Sequence, residues 1–364
     1  MTVQEVVQKL QEIAPLAYAE DFDNVGLLVG NPLQPITGIL VTLDTLESVV
    51  DEAIQKKCNL IVSFHPIIFS GLKKITGKTY VERVVIKAIQ NQIAIVSIHT
   101  AMDNHHQGVN FEICKRLGIA KPQILIPKAN TIYKLSVNVP KQNETELKQA
   151  LFSAGAGNIG NYQDCSFTVT GTGTFTPKED ANPAIGKINK IETLEEVQLQ
   201  CIFPSYLKET MVNTLWQHHP FEEIAYEIIA LKNNNQQIGM GMIGDLEEPM
   251  SEADFLQFVK KQFDAQGIRY SALLNKPVQK VAVLGGSGSF AIKNAKQQQA
   301  NVFITADIKY HQFYEAENKI VILDIGHYES EQYTKNLIVS NLQKKISNFA
   351  IILSEINTNP IQYL

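Results

Sequence analysis

Short apolar runs alternate with amphipathic stretches along the first third of the chain. The runs at residues 38–43, 60–64 and 93–98 have the length and β-branched content of buried strands. The stretches at 46–57 and 79–91 between them have helical periodicity. Alternation of this kind predicts βαβ units and a parallel sheet.

The same pattern of short apolar runs returns near the end of the chain. These runs lie at residues 280–284, 302–305, 319–323 and 349–353. We therefore expect the first and last thirds of the chain to contribute strands to one shared sheet.

The middle of the chain has a different pattern, which indicates an inserted domain. It predicts a strand at 133–139, a helix at 144–154, a glycine-rich loop and strand over 155–174, a strand at 196–203, a helix at 206–218 and a strand at 225–231. This is the order of a small ferredoxin-like α+β unit. The polar run at 233–237 marks its far boundary. We predict an α/β core formed by residues 1–128 and 236–364, with the ferredoxin-like domain over 129–235.

Composition narrows the class of protein. The 364 residues are 45% hydrophobic and 19% charged, which is typical of a soluble protein with a sizeable core. A net charge of -5 without a basic stripe makes nucleic acid an unfavoured partner. The four cysteines are scattered without a CxxC pair, so neither a zinc knuckle nor a disulfide framework is indicated. The start of the chain lacks the pattern of a signal peptide and no apolar run could span a bilayer, so we expect a cytoplasmic protein without a membrane partner.

Polar clusters directly follow four of the predicted strands. They contain His65, then His99 and Asp103, then Asp307 with Lys309 and His311, and finally His327 and Glu331. Because the carboxyl ends of parallel strands share one edge of a sheet, these clusters can meet in space. Imidazole and carboxylate ligands suit zinc, iron or manganese, and the lack of thiolates favours an open, catalytic kind of site. His327 and Glu331 stand four residues apart and would share one face of a helix.

Each cluster also has a purely structural interpretation. His65 precedes Pro66 and could simply end a strand, and Asp103 could cap a helix. Asp307 and its neighbours could be solvated groups at a helix start. The loop at residues 284–289 could cradle a phosphate, although it lacks a Walker A lysine and is better explained as a tight turn. The metal hypothesis rests on the coincidence of position, since several strand ends carry a histidine or a carboxylate.

These segments resemble the GTP cyclohydrolase 1 type 2 family, also called NIF-three-like proteins. The resembling segments are 21–27, 65–69, 99–103, 108–110, 285–288, 305–311 and 326–331. The segments 155–162, 171–175, 182–183 and 219–223 further resemble a longer subgroup with an inserted nitrogen-regulator or CutA-like module. The resemblance extends over almost the whole chain.

The resemblance implies a two-lobed α/β fold around a dinuclear metal site, assembled as a toroidal homohexamer. It also implies that His65 and Asp103 hold one divalent ion and His327 the other, with Glu331 contacting both. One position departs from the family pattern, because the first of two adjacent histidines is replaced by Phe64. A phenyl ring cannot ligate a metal, so the second ion would keep only His327 and Glu331 as ligands. The chain would therefore hold either one ion or two.

Metal-assisted hydrolysis of a nucleotide or another phosphorylated small molecule is the leading functional hypothesis. His99 is then a candidate proton shuttle and Lys309 a candidate anion contact. GTP ring opening is implied only by the family name. The alternative is a non-enzymatic, hexameric metal-binding or regulatory assembly in which the inserted domain senses a ligand or gates the central cavity.

Overall fold

The computed structural model describes all residues from Met1 to Leu364. The chain divides into two compact units. We call Met1–Pro127 together with Gln236–Leu364 the core unit, and Lys128–Asn235 the inserted unit. None of the helices combines the length and apolar character needed to cross a lipid bilayer.

Helices and strands alternate along much of the chain. The first part of the core unit contains α1 (Val3–Ile13), β1 (Gly26–Val29), β2 (Ile39–Thr42), α2 (Glu47–Gln55), β3 (Leu60–Ser63), α3 (Tyr80–Gln90), β4 (Ala94–Ser97), α4 (His99–Asp103), α5 (Val109–Arg116) and β5 (Ile119–Pro127). The inserted unit contains β6 (Ile132–Pro140), α6 (Glu144–Ser153), β7 (Ser166–Phe175), β8 (Glu192–Pro204), α7 (Lys208–His218) and β9 (Tyr226–Ala230). The second part of the core unit contains β10 (Gly239–Met250), α8 (Glu252–Gln262), β11 (Arg269–Tyr270), β12 (Val278–Ser287), α9 (Ile292–Gln297), β13 (Val302–Ala306), β14 (Val321–Asp324), α10 (His327–Glu331), α11 (Thr334–Lys345) and β15 (Ile351–Leu353).

The core unit has two sheets, so the expectation of one shared sheet is wrong. The first has the strand order β1-β4-β3-β2-β15 and the second β11-β14-β13-β12-β10-β5. Strands within each βαβ series pair with one another, because short crossovers place consecutive strands side by side. The two parts of the chain nevertheless exchange a strand, since β15 joins the first sheet and β5 the second.

Both sheets are mixed, but the strands that precede the polar clusters are parallel. β2, β3 and β4 pair in parallel, as do β12, β13 and β14. Antiparallel strands β1, β5, β10 and β11 extend the sheets at their margins. The carboxyl ends of the parallel strands therefore lie together at one edge of each sheet.

Alternating side chains of the two sheets divide between a common core and outer layers. Val62 of β3 and Val283 of β12 belong to the common core, which also contains residues from α1, α5 and α11. Ile61 faces the opposite way and packs with residues of α2 and α3. Phe303 of β13 likewise packs with residues of α9. Burial on both faces explains why these strands are continuous apolar runs in the sequence.

The inserted unit is built on one antiparallel sheet. Its strands have the order β7-β8-β6-β9. Buried side chains of both helices, including Leu147 of α6 and Leu215 of α7, pack on one face of this sheet against residues such as Val137 and Leu199. The unit therefore has a hydrophobic core of its own.

The start of α3 offers a pH-dependent prediction. The Glu82 carboxylate accepts hydrogen bonds from the backbone N–H of Thr76 at 2.7 Å and from the Thr76 hydroxyl at 2.8 Å, and further ones from Lys78 and Thr79. These donors lower the pKa of Glu82 to about 2 from an ordinary value of 4.5. We expect Glu82→Gln to destabilise the protein at neutral pH, and the difference to shrink as pH falls from about 4.5 towards 2.

Urea unfolding at several pH values measures this difference. The folded state keeps Glu82 ionised in this pH range, whereas the unfolded chain becomes protonated, so wild type loses the contribution as the pH falls. The exposed Glu315 provides the matched control Glu315→Gln. A difference between wild type and Glu82→Gln that stays constant down to pH 3 would contradict the prediction.

Candidate metal centre

Two histidines and one glutamate meet where the ends of β3 and β14 come together. The Glu331 Oε2 atom lies 3.0 Å from His65 Nε2 and 3.1 Å from His327 Nε2. His327 and Glu331 occupy the two ends of α10, as their spacing predicts. The His65 Nε2 and Glu331 Oε2 atoms are shielded from solvent, yet neither is aligned to form a hydrogen bond. Shielded nitrogen and oxygen atoms that converge in this way, without forming hydrogen bonds, are arranged like the ligands of a metal ion.

Carboxylates orient both imidazole rings from behind. The His65 Nδ1–H donates to Asp44 Oδ1 at 2.8 Å, and the His327 Nδ1–H donates to Asp307 Oδ2 at 2.7 Å. This pattern leaves the Nε2 atom of each ring for a ligand and is common behind metal-binding histidines. The Thr358 hydroxyl, near the C-terminus, donates to Asp44 Oδ2 at 2.6 Å and so braces His65 indirectly.

Sequence reasoning missed Asp44, although a signal for it was present. Asp44 follows the strand β2 just as His65 follows β3, so the same strand-end criterion would have found it. Thr358 carries no comparable signal. It lies more than three hundred residues from Asp44, and only the fold brings them together.

The ionisable groups at this site lie close enough to change one another's pKa values. Burial opposes protonation of His65, but the carboxylates of Asp44 and Glu331 outweigh it and raise the pKa of His65 to about 10. Burial likewise opposes protonation of His327, and Glu331 and Asp307 raise its pKa to about 11. The two imidazoles in turn lower the pKa of Glu331 despite its burial. The carboxylates thus favour protonated imidazoles when no metal is bound, so a metal ion would compete with these protons for the rings.

Asp103 adds a further carboxylate to the same cavity. Its Oδ1 atom is shielded from solvent and has no hydrogen-bond partner. Burial and the nearby negative charge of Glu331 raise the pKa of Asp103 well above its ordinary value. Asp103 lines the cavity but does not belong to the tight cluster formed by His65, His327 and Glu331. A cation placed here would relieve the unfavourable proximity of the two carboxylates.

His99, at the start of α4, forms a third histidine–carboxylate pair. Its Nδ1–H donates to Asp23 Oδ1 at 2.9 Å, while Asp23 Oδ2 accepts from the Thr100 backbone N–H at 3.0 Å. Burial opposes ionisation of Asp23, but these hydrogen bonds lower its pKa to about 2. The ring centres of His99 and His65 are 5.2 Å apart. The Nε2 atom of His99 is thus left for a proton or a ligand beside the candidate centre.

Phe64 is part of the hydrophobic core. Its side chain is 0% exposed, and its ring centre lies 4.9 Å from that of His65 and 5.5 Å from that of His99. The phenyl ring therefore packs against both imidazoles and contributes no ligand atom. Any ion beyond the first must rely on the remaining histidines and carboxylates.

The candidate centre opens into a cavity of about 630 Å³ with an aromatic rim. The rim includes Phe22, Phe69 and Phe290, which are 65%, 51% and 55% exposed. The charged lining residues are carboxylates and histidines, with no lysine or arginine among them. Lys309, the candidate anion contact, is exposed and does not line the cavity. His311 is also outside it.

The glycine-rich end of β12 provides room for Glu331. Gly286 has φ of +68°, and a Cβ atom there would overlap Glu331 Oε1 and lie 3.3 Å from His327 Cε1. Residues 284–287 continue β12, with an irregularity in its pairing to β13, where a tight turn was expected. The glycine lets this part of the backbone approach the centre.

Replacing this glycine should damage the centre directly. We expect Gly286→Ala to lose about 1–2 kcal/mol of stability from its left-handed backbone and to bind divalent metal more weakly. Thermal unfolding and metal titration measure the two effects. Gly71→Ala is the control, because a Cβ atom there meets nothing within 4 Å. Unchanged metal affinity in Gly286→Ala would contradict the contact with Glu331.

Comparisons with known proteins agree with this architecture. The chain is 36% identical to a Bacillus subtilis protein named GTP cyclohydrolase 1 type 2 homolog, over 99% of this chain and 98% of the relative. A Staphylococcus epidermidis protein of the same name is 35% identical over the full length of both chains. The crystal structure of a Bacillus cereus protein related to NIF3 superposes with a TM-score of 0.86 at 35% identity and covers 100% of this chain and 99% of that one. The model of the family Duf34/NIF3 (NGG1p interacting factor 3) matches residues 1–360, so the chain belongs to this family.

Proposed function

We propose that this protein is a metal-dependent hydrolase whose centre is held by His65, Asp103, His327 and Glu331. The observation that carries the proposal is the convergence of His65, His327 and Glu331, in which the His65 Nε2 and Glu331 Oε2 atoms are shielded from solvent and make no hydrogen bond. The donor set of imidazoles and carboxylates fits one or two divalent ions of zinc, iron or manganese. When bound, such an ion supplies Lewis acidity that polarises a substrate oxygen and lowers the pKa of water.

The residues around the centre have separate tasks in this proposal. Asp44 and Asp307 hold the rings of His65 and His327 so that each Nε2 atom faces the ligand position. His99, held by Asp23, carries a proton between the reacting group and solvent at its Nε2 atom. Lys309 is not needed for these tasks and would contact an anion only outside the cavity.

The cavity favours a substrate with a flat, apolar portion. Phe22, Phe69 and Phe290 offer aromatic surface at the rim, on which a ring can stack. Since this chain places no lysine or arginine in the lining, bound metal would supply the positive charge for a phosphate or another oxyanion. A nucleotide or another phosphorylated small molecule satisfies both conditions. The name of the relatives makes GTP the first compound to test.

The inserted unit and the assembly belong to the same proposal. The element order β6-α6-β7-β8-α7-β9 and the sheet order β7-β8-β6-β9 support a ferredoxin-like module of the nitrogen-regulator or CutA type. We further propose a cytoplasmic homohexamer with its metal centres facing the interior of a toroid. Sedimentation of the purified protein tests the number of subunits.

Turnover by metal-loaded protein tests the enzymatic role. Protein loaded with zinc, iron or manganese is assayed on GTP, other nucleotides and phosphoesters. We expect His99→Gln to lower kcat by about 10²–10⁴-fold while the metal content stays the same. His311→Gln is the control, because His311 lies outside the cavity. No turnover of any compound would contradict the proposal.

A non-enzymatic, hexameric regulatory assembly is the second candidate. The buried Phe64 favours it, because this ring removes one ligand from a dinuclear site. In that case Asp103→Ala would reduce the metal content and alter the assembly, whereas no variant or metal would produce turnover. Metal analysis together with sedimentation separates the two functions.

A further inference from the structure

Three distant segments of the inserted unit line a second cavity. They are residues 173–175 at the end of β7, Pro183 in the following loop and residues 221–223 after α7. The cavity has a volume of about 540 Å³ and shares no residue with the candidate metal centre. Each segment carries part of the resemblance to the longer subgroup, and the proposed hydrolase uses none of them.

Two aromatic rings form a wall of this cavity, and a histidine holds one of them in place. The ring centres of Phe175 and Phe221 are 5.5 Å apart. The His219 Nε2–H donates to the Asn138 carbonyl at 2.9 Å, and its Nδ1 atom accepts from the Phe221 backbone N–H at 3.1 Å. Both ring nitrogens of His219 are therefore occupied, and His219 serves to position Phe221.

A proline-containing loop covers the same cavity. The Glu222 Oε1 atom accepts a hydrogen bond from the Asn182 backbone N–H at 2.8 Å and ties this loop to the segment that follows α7. Pro177, Pro183 and further small apolar side chains of the loop face the cavity. The walls are thus mostly apolar and held by specific hydrogen bonds.

One carboxylate in the cavity has no partner. Glu196 of β8 lies close to Gly173 of β7, where any Cβ atom would overlap its Oε2 atom. Its carboxylate makes no hydrogen bond or ion pair, and burial raises its pKa. The other charged lining residues are Glu222, Glu223 and Lys178, so carboxylates outnumber ammonium groups by three to one.

We propose that this cavity binds a small molecule with a flat, apolar body and a cationic nitrogen that pairs with Glu196. The Phe175 and Phe221 rings would contact the flat body, and aromatic faces also attract a neighbouring cation. A charged hydrogen bond to Glu196 would satisfy the carboxylate that the fold leaves without a partner. An anionic molecule of the same shape would meet three carboxylates and be rejected.

Binding of benzamidine to the full-length protein tests this site, with benzyl alcohol and benzoate as neutral and anionic probes of similar shape. Calorimetry should show that benzamidine binds, that benzyl alcohol binds at least tenfold more weakly, and that benzoate does not bind. Glu196→Gln should weaken benzamidine binding at least tenfold while benzyl alcohol binding stays the same. Glu195→Gln is the matched control, because Glu195 is an exposed neighbour on β8 outside the cavity.

Two further controls make the result specific. Benzamidine could also bind near the carboxylates of the metal centre. Glu196→Gln would keep that binding, so the affinity that remains in this variant measures it. Circular dichroism confirms that the variants are folded. Equal affinity of wild type and Glu196→Gln for benzamidine, absence of benzamidine binding to wild type, or benzoate binding as tight as that of benzamidine would each overturn the proposal.

Discussion

Replacing Glu331 with glutamine is expected to remove nearly all bound divalent metal. Glu331 Oε2 approaches both His65 and His327, so no other single side chain contacts as much of the candidate centre. Loss of a supporting residue behind a ligand typically lowers metal affinity by about 10–100-fold, and loss of a central ligand should cost at least as much. Metal analysis after dialysis, followed by titration with zinc or manganese, measures the change.

The same substitution should also change the protons held at the site. The negative charge of Glu331 helps to raise the pKa values of both His65 and His327. In metal-free Glu331→Gln, the imidazole resonances should therefore titrate at lower pH than in wild type. Glu315→Gln, at an exposed position, should change neither metal content nor these titrations. Full metal occupancy in Glu331→Gln would refute its role as a ligand.

Replacing Asp103 with asparagine is expected to have opposite effects on stability and metal binding. In the metal-free protein Asp103 is a desolvated carboxyl beside Glu331 with one unpartnered oxygen. The amide removes the buried negative charge and its repulsion by Glu331, so the free energy of unfolding should increase by about 1–3 kcal/mol. The neutral amide is also a poorer ligand, so the stabilisation by added metal should fall.

Thermal unfolding with and without metal measures both effects of Asp103→Asn. Without metal, the variant should unfold several degrees higher than wild type, at about 2–4 °C per kcal/mol for a domain of this size. With added zinc or manganese, wild type should gain more stability than the variant. The gain depends on how tightly the folded protein binds the metal, and the variant should bind it more weakly. The pKa of Asp103 is raised in the folded protein, so the advantage of Asp103→Asn without metal should decrease as the pH falls. A variant less stable than wild type under both conditions would indicate a purely structural role for Asp103.

Position at a strand end was the most informative signal in the sequence. His65 follows β3, His99 follows β4 and His327 follows β14, and the structure brings all three to one cavity. The spacing of His327 and Glu331 also predicted their place on one helical turn. Local pattern was sufficient to mark these residues, but β3 and β4 belong to one sheet and β14 to the other, so the fold also had to bring the carboxyl ends of two sheets together.

Other features depended on contacts that are distant along the chain. The division into two sheets was missed, because apolar runs show that a strand is buried but not which strand covers it. Asp44 is an exception, because its strand-end position is the same as that of His65 and could be read from the sequence. The link from Thr358 to Asp44 joins the last residues of the chain to the first sheet. Lys309 shows the reverse case, since it lies near Asp307 in sequence but does not line the cavity.

Anomalous scattering from crystals grown with zinc or manganese tests the metal centre most directly. We predict an anomalous peak within ligand distance of His65 Nε2, His327 Nε2 and Glu331 Oε2, since these atoms already lie within 4.8 Å of one another. A second peak nearby would show that the site holds two ions despite Phe64, and a single peak that it holds one. Absence of any peak at these residues, with the protein saturated with metal, would contradict the assignment of a metal centre.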